Sequence, residues 1–273
     1  MKKYTYKELL DIMLKLRSPG GCPWDRDQDH KSLKRYLIEE SYEVLEAIDE
    51  GDPKKLCDEL GDLLLQVIFH AQIADEDGQF DMGDVINAVS TKMVHRHRHV
   101  FGEEEAETPE DVMRIWEKVK KEEKGHETQT KVLKDVPGNL PSLMRSYKVQ
   151  EKAAQVGFDW DRVEDAFKKV REEVGELDEA LGNGDKTGVE EELGDILFAV
   201  VNVSRFYKVQ PELALTATVN KFIRRFEYVE TKSMEQGKNL KDMSLGEMDE
   251  LWEACKSLER AEESPKTPES GKE

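Results

Sequence analysis

Apolar residues recur three and four positions apart along nearly the whole chain. Leu9, Leu10, Met13, Leu14 and Leu16 do so, as do Leu60, Leu63, Leu64, Val67, Ile68 and Ala71. Leu193, Ile196, Leu197, Val200, Val201 and Val203 repeat the pattern far downstream. Such spacing lines one face of an α-helix, and no sustained period-two alternation of β-branched residues competes with it. The pattern predicts an all-α fold. Breakers divide the helices: SPGGCPWD at 18–25, EDGQFDMGD at 76–84 and GHETQTKVLKDVPGNLPSL at 125–143. The last of these reads as an inter-domain linker, and the polar stretch EESPKTPESGKE at 262–273 as a disordered tail.

The two sides of that linker read as copies. CPWD ending at Asp25 pairs with FDWD ending at Asp161, and EESYE from Glu39 with EEVGE from Glu172. ELGDLLLQV from Glu59 pairs with ELGDILFAV from Glu192, KMVHR from Lys92 with KFIRR from Lys221, and the helix around Trp116 with that around Trp252. The offsets run only from 129 to 136 residues and keep one order, which predicts a tandem duplication of a helical unit. The expected layout is a helical domain over 1–124, a linker over 125–143, a second helical domain over 144–261 and the tail.

Carboxylates interrupt the apolar pattern where a core is expected. Glu39, Glu40 and Glu43 are spaced to share a helical face, and Glu59 and Asp62 are three apart on the next helix. A short turn with Gly51 and Pro53 joins the two, so the helices are expected to pack antiparallel and bring one acidic set opposite the other. Glu172, Glu173, Glu176, Glu192 and Asp195 repeat the arrangement around a turn with Gly182, Asn183 and Gly184. Two carboxylates about 4 Å apart repel by about 4 kcal/mol at an effective dielectric near 20. Ordinary domains hold only about 5–15 kcal/mol of net stability, so either these groups face outward or a cation resolves the conflict. Their register in both halves favours the cation, and all-oxygen ligands suit Mg²⁺, with Mn²⁺ a possible substitute. Gly61 and Gly194, just before the two aspartates, suggest close approach beside the site. A di-iron site would need Glu-x-x-His on two helices, and the sequence has it once, at Glu123 and His126.

Composition narrows the partners. Hydrophobic and charged residues each make up 37% and the formal net charge is −19, a field that repels nucleic acid and anionic membranes. No apolar run approaches the roughly 20 residues of a membrane span. The N-terminus reads as an amphipathic helix and not a signal peptide, and three separated cysteines, Cys22, Cys57 and Cys255, read as free thiols. These features point to the cytoplasm. The HRHRH run at 95–99 offers only His95 and His99 on one helical face, so it reads as a basic helix end and not a metal site.

E-E-x-x-E, a spacer of about fifteen residues and E-L-G-D together resemble the MazG family, within the all-α nucleoside triphosphate pyrophosphohydrolase superfamily. GGCPWDRDQDHKSLKRYLIEESYEVLEAI and VPGNLPSLMRSYKVQEKAAQVGFDWD also look like its two-domain members, and the match spans almost the whole chain. The resemblance implies Mg²⁺-dependent hydrolysis of nucleoside triphosphates to monophosphate and pyrophosphate, in a homodimer. It implies Glu173, Glu176, Glu192 and Asp195 as metal ligands in the second half, and Glu40, Glu43, Glu59 and Asp62 in the first. Glu172 and Glu39 are then the general bases or ligands to an additional ion. Lys169, Lys221 and Arg225 become phosphate contacts and Trp252 a base-stacking residue, with Lys92, Arg96 and Trp116 their first-half counterparts. Tyr36 stands at the Lys169 position of the first half, and Gly188 where the family carries a lysine. A stacking tryptophan tolerates every base, so broad base specificity is expected. The rival reading is a regulatory module that binds nucleotide with little turnover.

Overall fold

The computed structural model describes residues 2–124 and 127–263. The chain forms two compact units, Met1–Gly125 and His126–Glu273. Among the described residues the secondary structure is entirely helical, as the apolar spacing predicts.

The first unit opens with α1 (Tyr6–Arg17), whose N-terminus is closed by a reciprocal capping box between Thr5 and Glu8. After α2 (Pro23–Asp27) come α3 (Lys34–Glu50) and α4 (Pro53–Glu76), a helical hairpin. Its turn is local chemistry. Gly51 takes the left-handed conformation (φ 67°) that ends α3, and the Asp52 side chain accepts from the Lys54 amide to start α4. Met13, Leu33, Ile68, Phe69 and Ile73 form the buried core, with Leu9, Leu10, Tyr36, Leu65 and Met82 packed around it. α5 (Met82–Arg96), α6 (Arg98–Phe101) and α7 (Pro109–Lys124) complete the unit, with α7 packed on α5.

The second unit rebuilds this plan with α9 (Ser142–Ala154), α10 (Val163–Asn183), α11 (Lys186–Phe206), α12 (Pro211–Glu235) and α13 (Leu245–Glu263). α10 and α11 repeat the hairpin, with Gly184 in the left-handed conformation (φ 67°) and Asp185 capping α11. α9 packs on α11 as α1 packs on α4, and α13 on α12 as α7 on α5. Gln150, nearly buried on α9, donates to the Phe198 carbonyl of α11 at 2.8 Å. The stretch read as a linker carries a helix, α8 (Gln129–Lys134), that packs on α9. Residues 125–126 at the start of that stretch, His126 included, lie outside the described residues, as does the tail from residue 264.

The HRHRH run holds the basic end of α5, with His95 and Arg96 in its last turn, as expected. α5 stops at Arg96, and His97 has non-helical dihedrals before α6 begins. The run is therefore not one helix, and His97 and His99 come together with ring centroids 5.7 Å apart. Cys22, Cys57 and Cys255 are free thiols. Among the described residues, no helix is long and apolar enough to cross a membrane.

Candidate functional site

Each hairpin brings carboxylates from its two helices together. In the first unit Glu40 and Glu43 of α3 and Glu59 of α4 each offer an oxygen within 4.8 Å of the others. In the second unit the set is Glu173 of α10 with Glu192 and Asp195 of α11, within the same limit. Mg²⁺ binds oxygens at about 2.1 Å, so ligands on opposite sides of an octahedron stand about 4.2 Å apart. Three oxygens on one octahedron include at least two adjacent pairs about 3.0 Å apart, so closing either triad needs side-chain shifts of up to about 2 Å.

The remaining expected ligands sit beside the triads. Asp62, exposed, acts on Glu40 and Glu59 through its charge. Glu176, exposed, hydrogen-bonds Glu173. Glu39 is exposed at the edge of the first set and Glu172 at the edge of the second.

The electrostatics show crowded acid. Burial pushes the Glu40 carboxyl up, and the charges of Asp62, Glu43, Glu59 and Glu39 add to it. Burial and Glu43 do the same to Glu59. In the second unit burial raises Glu192, with Glu173 and Asp195 adding to the shift, and the hydrogen bond that Glu176 donates to the Glu173 carboxylate leads the rise of Glu176. Glu173 itself goes the other way. It is 4% exposed, and Lys169 holds it ionised, with Nζ donating at 2.6 Å to Oε1. The same ammonium reaches Glu172 Oε1 at 2.7 Å. Glu192 Oε2 is buried without a hydrogen-bond partner. An orphaned buried oxygen beside two more acids fits a divalent cation, which would satisfy the one and neutralise the others.

Tyr36, at the Lys169 position of the first unit, is no substitute. Its hydroxyl is contacted by Arg35, and its ring stands edge-on to Trp24 at 5.8 Å and packs on the core. Gly188 has a local reason. A Cβ there would stand 2.8 Å from Asp185 Oδ2, the cap of α11, and its amide donates to Asp185 Oδ1. Gly61 and Gly194 do not serve close approach: among the described residues nothing lies within 4 Å of where their Cβ atoms would be. They sit on an open helix face, because the partner helix of each hairpin packs elsewhere on α4 and α11.

The cationic and aromatic residues stand on the other helix pairs. Arg96 of α5 is held by Glu123 of α7, Nη2 to Oε2 at 2.6 Å, and Arg225 of α12 by Glu259 of α13 at the same distance. Trp252 lies against Phe222 (centroids 5.1 Å) and under the Arg225 guanidinium (5.7 Å). Trp116 takes the edge of His97 at 4.9 Å, and its indole N–H is buried without a partner. Lys92 and Lys221 are exposed. Among the described residues, no hydrogen bond joins these cations to the carboxylate triads. Glu123 and Glu259 were not singled out as partners, yet each lies seven residues after the tryptophan of its unit, a repeat signal available in the sequence.

A duplicated acidic hairpin of this kind is matched by known proteins. The chain matches the MazG nucleotide pyrophosphohydrolase domain twice, over 28–101 and 162–230. It belongs to the MazG family. A MazG nucleoside triphosphate pyrophosphohydrolase/pyrophosphatase from Thermotoga maritima is 45% identical over 92% of this chain and 95% of its own length. A nucleoside triphosphate pyrophosphohydrolase from Escherichia coli K12 is 42% identical over 92% of this chain and 97% of its own. The uncharacterized protein YabN of Bacillus subtilis is 48% identical over 94% of this chain, which spans about half of that protein (53%). Both acidic triads fall inside the two MazG matches, as do Lys92, Arg96, Lys169, Lys221 and Arg225, whereas Trp116 and Trp252 lie just beyond them.

Proposed function

We propose that the protein hydrolyses nucleoside triphosphates to monophosphate and pyrophosphate, with Mg²⁺ as its resident cation and with broad base specificity. The observation that carries this reading is the pair of carboxylate triads, one per unit, in a family whose full-length relatives bear that activity in their names. Glu173, Glu192 and Asp195, with Glu176 alongside, hold the cation of the second unit. Glu40, Glu43 and Glu59, with Asp62, hold that of the first. A Mg²⁺ ion bound there supplies charge neutralisation for the triphosphate and a more acidic bound water.

Glu172, and Glu39 in the first unit, take the proton as water attacks the α-phosphorus. The bond from that phosphorus to the bridging oxygen breaks, and pyrophosphate leaves with the oxygen. Both glutamates are exposed at the rim of their triads, where a water can reach them. Lys169, Lys221 and Arg225 receive the phosphates and Trp252 stacks on the base, with Lys92, Arg96 and Trp116 in those roles in the first unit. The Arg225–Glu259 and Arg96–Glu123 pairs fix each guanidinium before substrate arrives, which lowers the ordering cost of binding.

The acting form is a homodimer in the cytoplasm. Leu60 and Leu64 on α4, and Leu193, Leu197 and Phe198 on α11, stay about half exposed beside the open glycine faces. A second copy of the chain would bury them.

Phosphorus NMR of the products tests the reaction. Incubation with Mg²⁺ and each common nucleoside triphosphate is expected to give monophosphate and pyrophosphate. Glu173→Gln should lower the second unit's share of turnover by at least about 100-fold, as the loss of a metal ligand demands. Diphosphate and phosphate as products would overturn the assignment. Tight nucleotide binding without turnover would favour the regulatory module.

A further inference from the structure

Lys169 and Tyr36 occupy the same place in the two copies, four residues before Glu173 and Glu40. Their consequences are opposite. Lys169 Nζ donates to Glu173 Oε1 at 2.6 Å and to Glu172 Oε1 at 2.7 Å, four and three positions away on the same helix. Glu173 is 4% exposed, so little water is available to share that carboxylate. Tyr36 carries no charge, its hydroxyl is engaged by Arg35, and its ring is committed to Trp24 and the core.

Resting on the metal reading above, we propose that Lys169 is a built-in counter-ion that competes with the divalent cation for Glu173, so the two triads bind that cation unequally and the first fills before the second. Glu173 contributes to the second triad with the carboxylate that Lys169 already holds. A cation entering there must share or displace the ammonium, and the two positive charges repel at close range. Among the described residues no lysine is paired with Glu40, and Lys55 acts on Glu59 of the first triad through its charge alone. Lys55, on the first hairpin, is turned to Glu46 and Glu50 near the connecting turn. The lysine side chain is 39% exposed on a flexible stem, so it can swing away from Glu173 without disturbing the fold.

The test is Mn²⁺ binding to the full-length protein without nucleotide, followed by electron paramagnetic resonance of the free ion. Glu173→Gln and Glu40→Gln backgrounds isolate the first and second triads in turn. In the Glu40→Gln background, Lys169→Met is expected to tighten Mn²⁺ binding about tenfold, the scale of one charge-assisted hydrogen bond lost to a rival. Lys168→Met removes the same charge one residue away, from a side chain paired with Asp165. It should change the affinity less than about twofold, since exposed charges are screened. In otherwise unaltered protein, the first triad should saturate at lower Mn²⁺ than the second. Equal effects of Lys168→Met and Lys169→Met, or weaker binding after Lys169→Met, would overturn the counter-ion role and leave the metal reading standing. Absence of Mn²⁺ binding in every variant would overturn both.

Discussion

Glu40 has no basic neighbour among the groups that shift it, and its raised carboxyl makes it a source of instability at neutral pH. Its proton is held more tightly in the fold than in the unfolded chain. Between its ordinary value of 4.5 and its higher folded value, the folded state therefore binds more protons, and stability falls as pH rises. Above both values the penalty is complete. Glu40→Gln should therefore raise stability at pH 7 by about 0.5–1 kcal/mol in the absence of divalent cations. The gain should shrink toward zero as pH drops below the ordinary value. The same change should remove the first unit's share of any Mg²⁺-induced rise in melting temperature. Thermal melts from pH 4 to pH 8, with and without Mg²⁺, check both. The spacing in the sequence was enough to nominate Glu40 and its partners. It could not nominate the triads, because Asp62 stays beside the first set while Asp195 joins the second. That difference depends on side-chain rotamers and helix rotation, which spacing does not encode.

At the scale of elements, the hairpins and the Arg–Glu fastenings repeat, and each has a local cause. Gly51 and Gly184 end α3 and α10 in the same left-handed conformation, so the turn was legible in the sequence. The pairing of α5 with α7 through Arg96 and Glu123 was not, because the two residues are far apart in the chain and each alone resembles an ordinary surface charge. Arg96, with His95 assisting, lowers the Glu123 carboxyl to about 2. A depressed carboxyl stabilises the fold above its ordinary value of 4.5, and that contribution is lost as pH falls from 4.5 to about 2. Glu123→Gln is thus expected to lower stability at pH 7 by about 1 kcal/mol or less, since the pair is partly solvated, and to flatten the acid limb of the stability profile. Chemical denaturation between pH 2.5 and pH 7 measures both effects. The break of α5 at His97 is not legible in the sequence, where the histidine run reads only as a basic helix end. Packing of His97 on Trp116 involves α7, a partner that helical periodicity cannot see.

For the molecule as a whole, the half-exposed apolar faces of α4 and α11 are the feature that the described chain leaves unexplained by its own packing. Leu197 is 56% exposed, and a Cβ on neighbouring Gly194 would meet nothing. A charge at such a site costs a monomer little but breaks an apolar interface. Leu197→Glu is therefore expected to shift the protein from dimer to monomer in sedimentation velocity, with a melting temperature change no larger than the loss of the interface requires. A monomeric parent protein would remove the dimer from the proposed function.

The sequence by itself determined the helical class, the duplication, the hairpin turns and the family, since these rest on local periodicity, on residues with special backbone freedom and on motif order. It also determined which carboxylates were candidates. Only the tertiary structure decided which three oxygens in each unit come within 4.8 Å, that Glu173 is buried against Lys169, and that Arg96 and Arg225 are already held by glutamates. Those outcomes depend on how helices rotate against one another and which rotamers their side chains take. A repeat can conserve spacing while changing one neighbour, and here the exchange of tyrosine for lysine changes the electrostatics of a site whose acidic residues are the same.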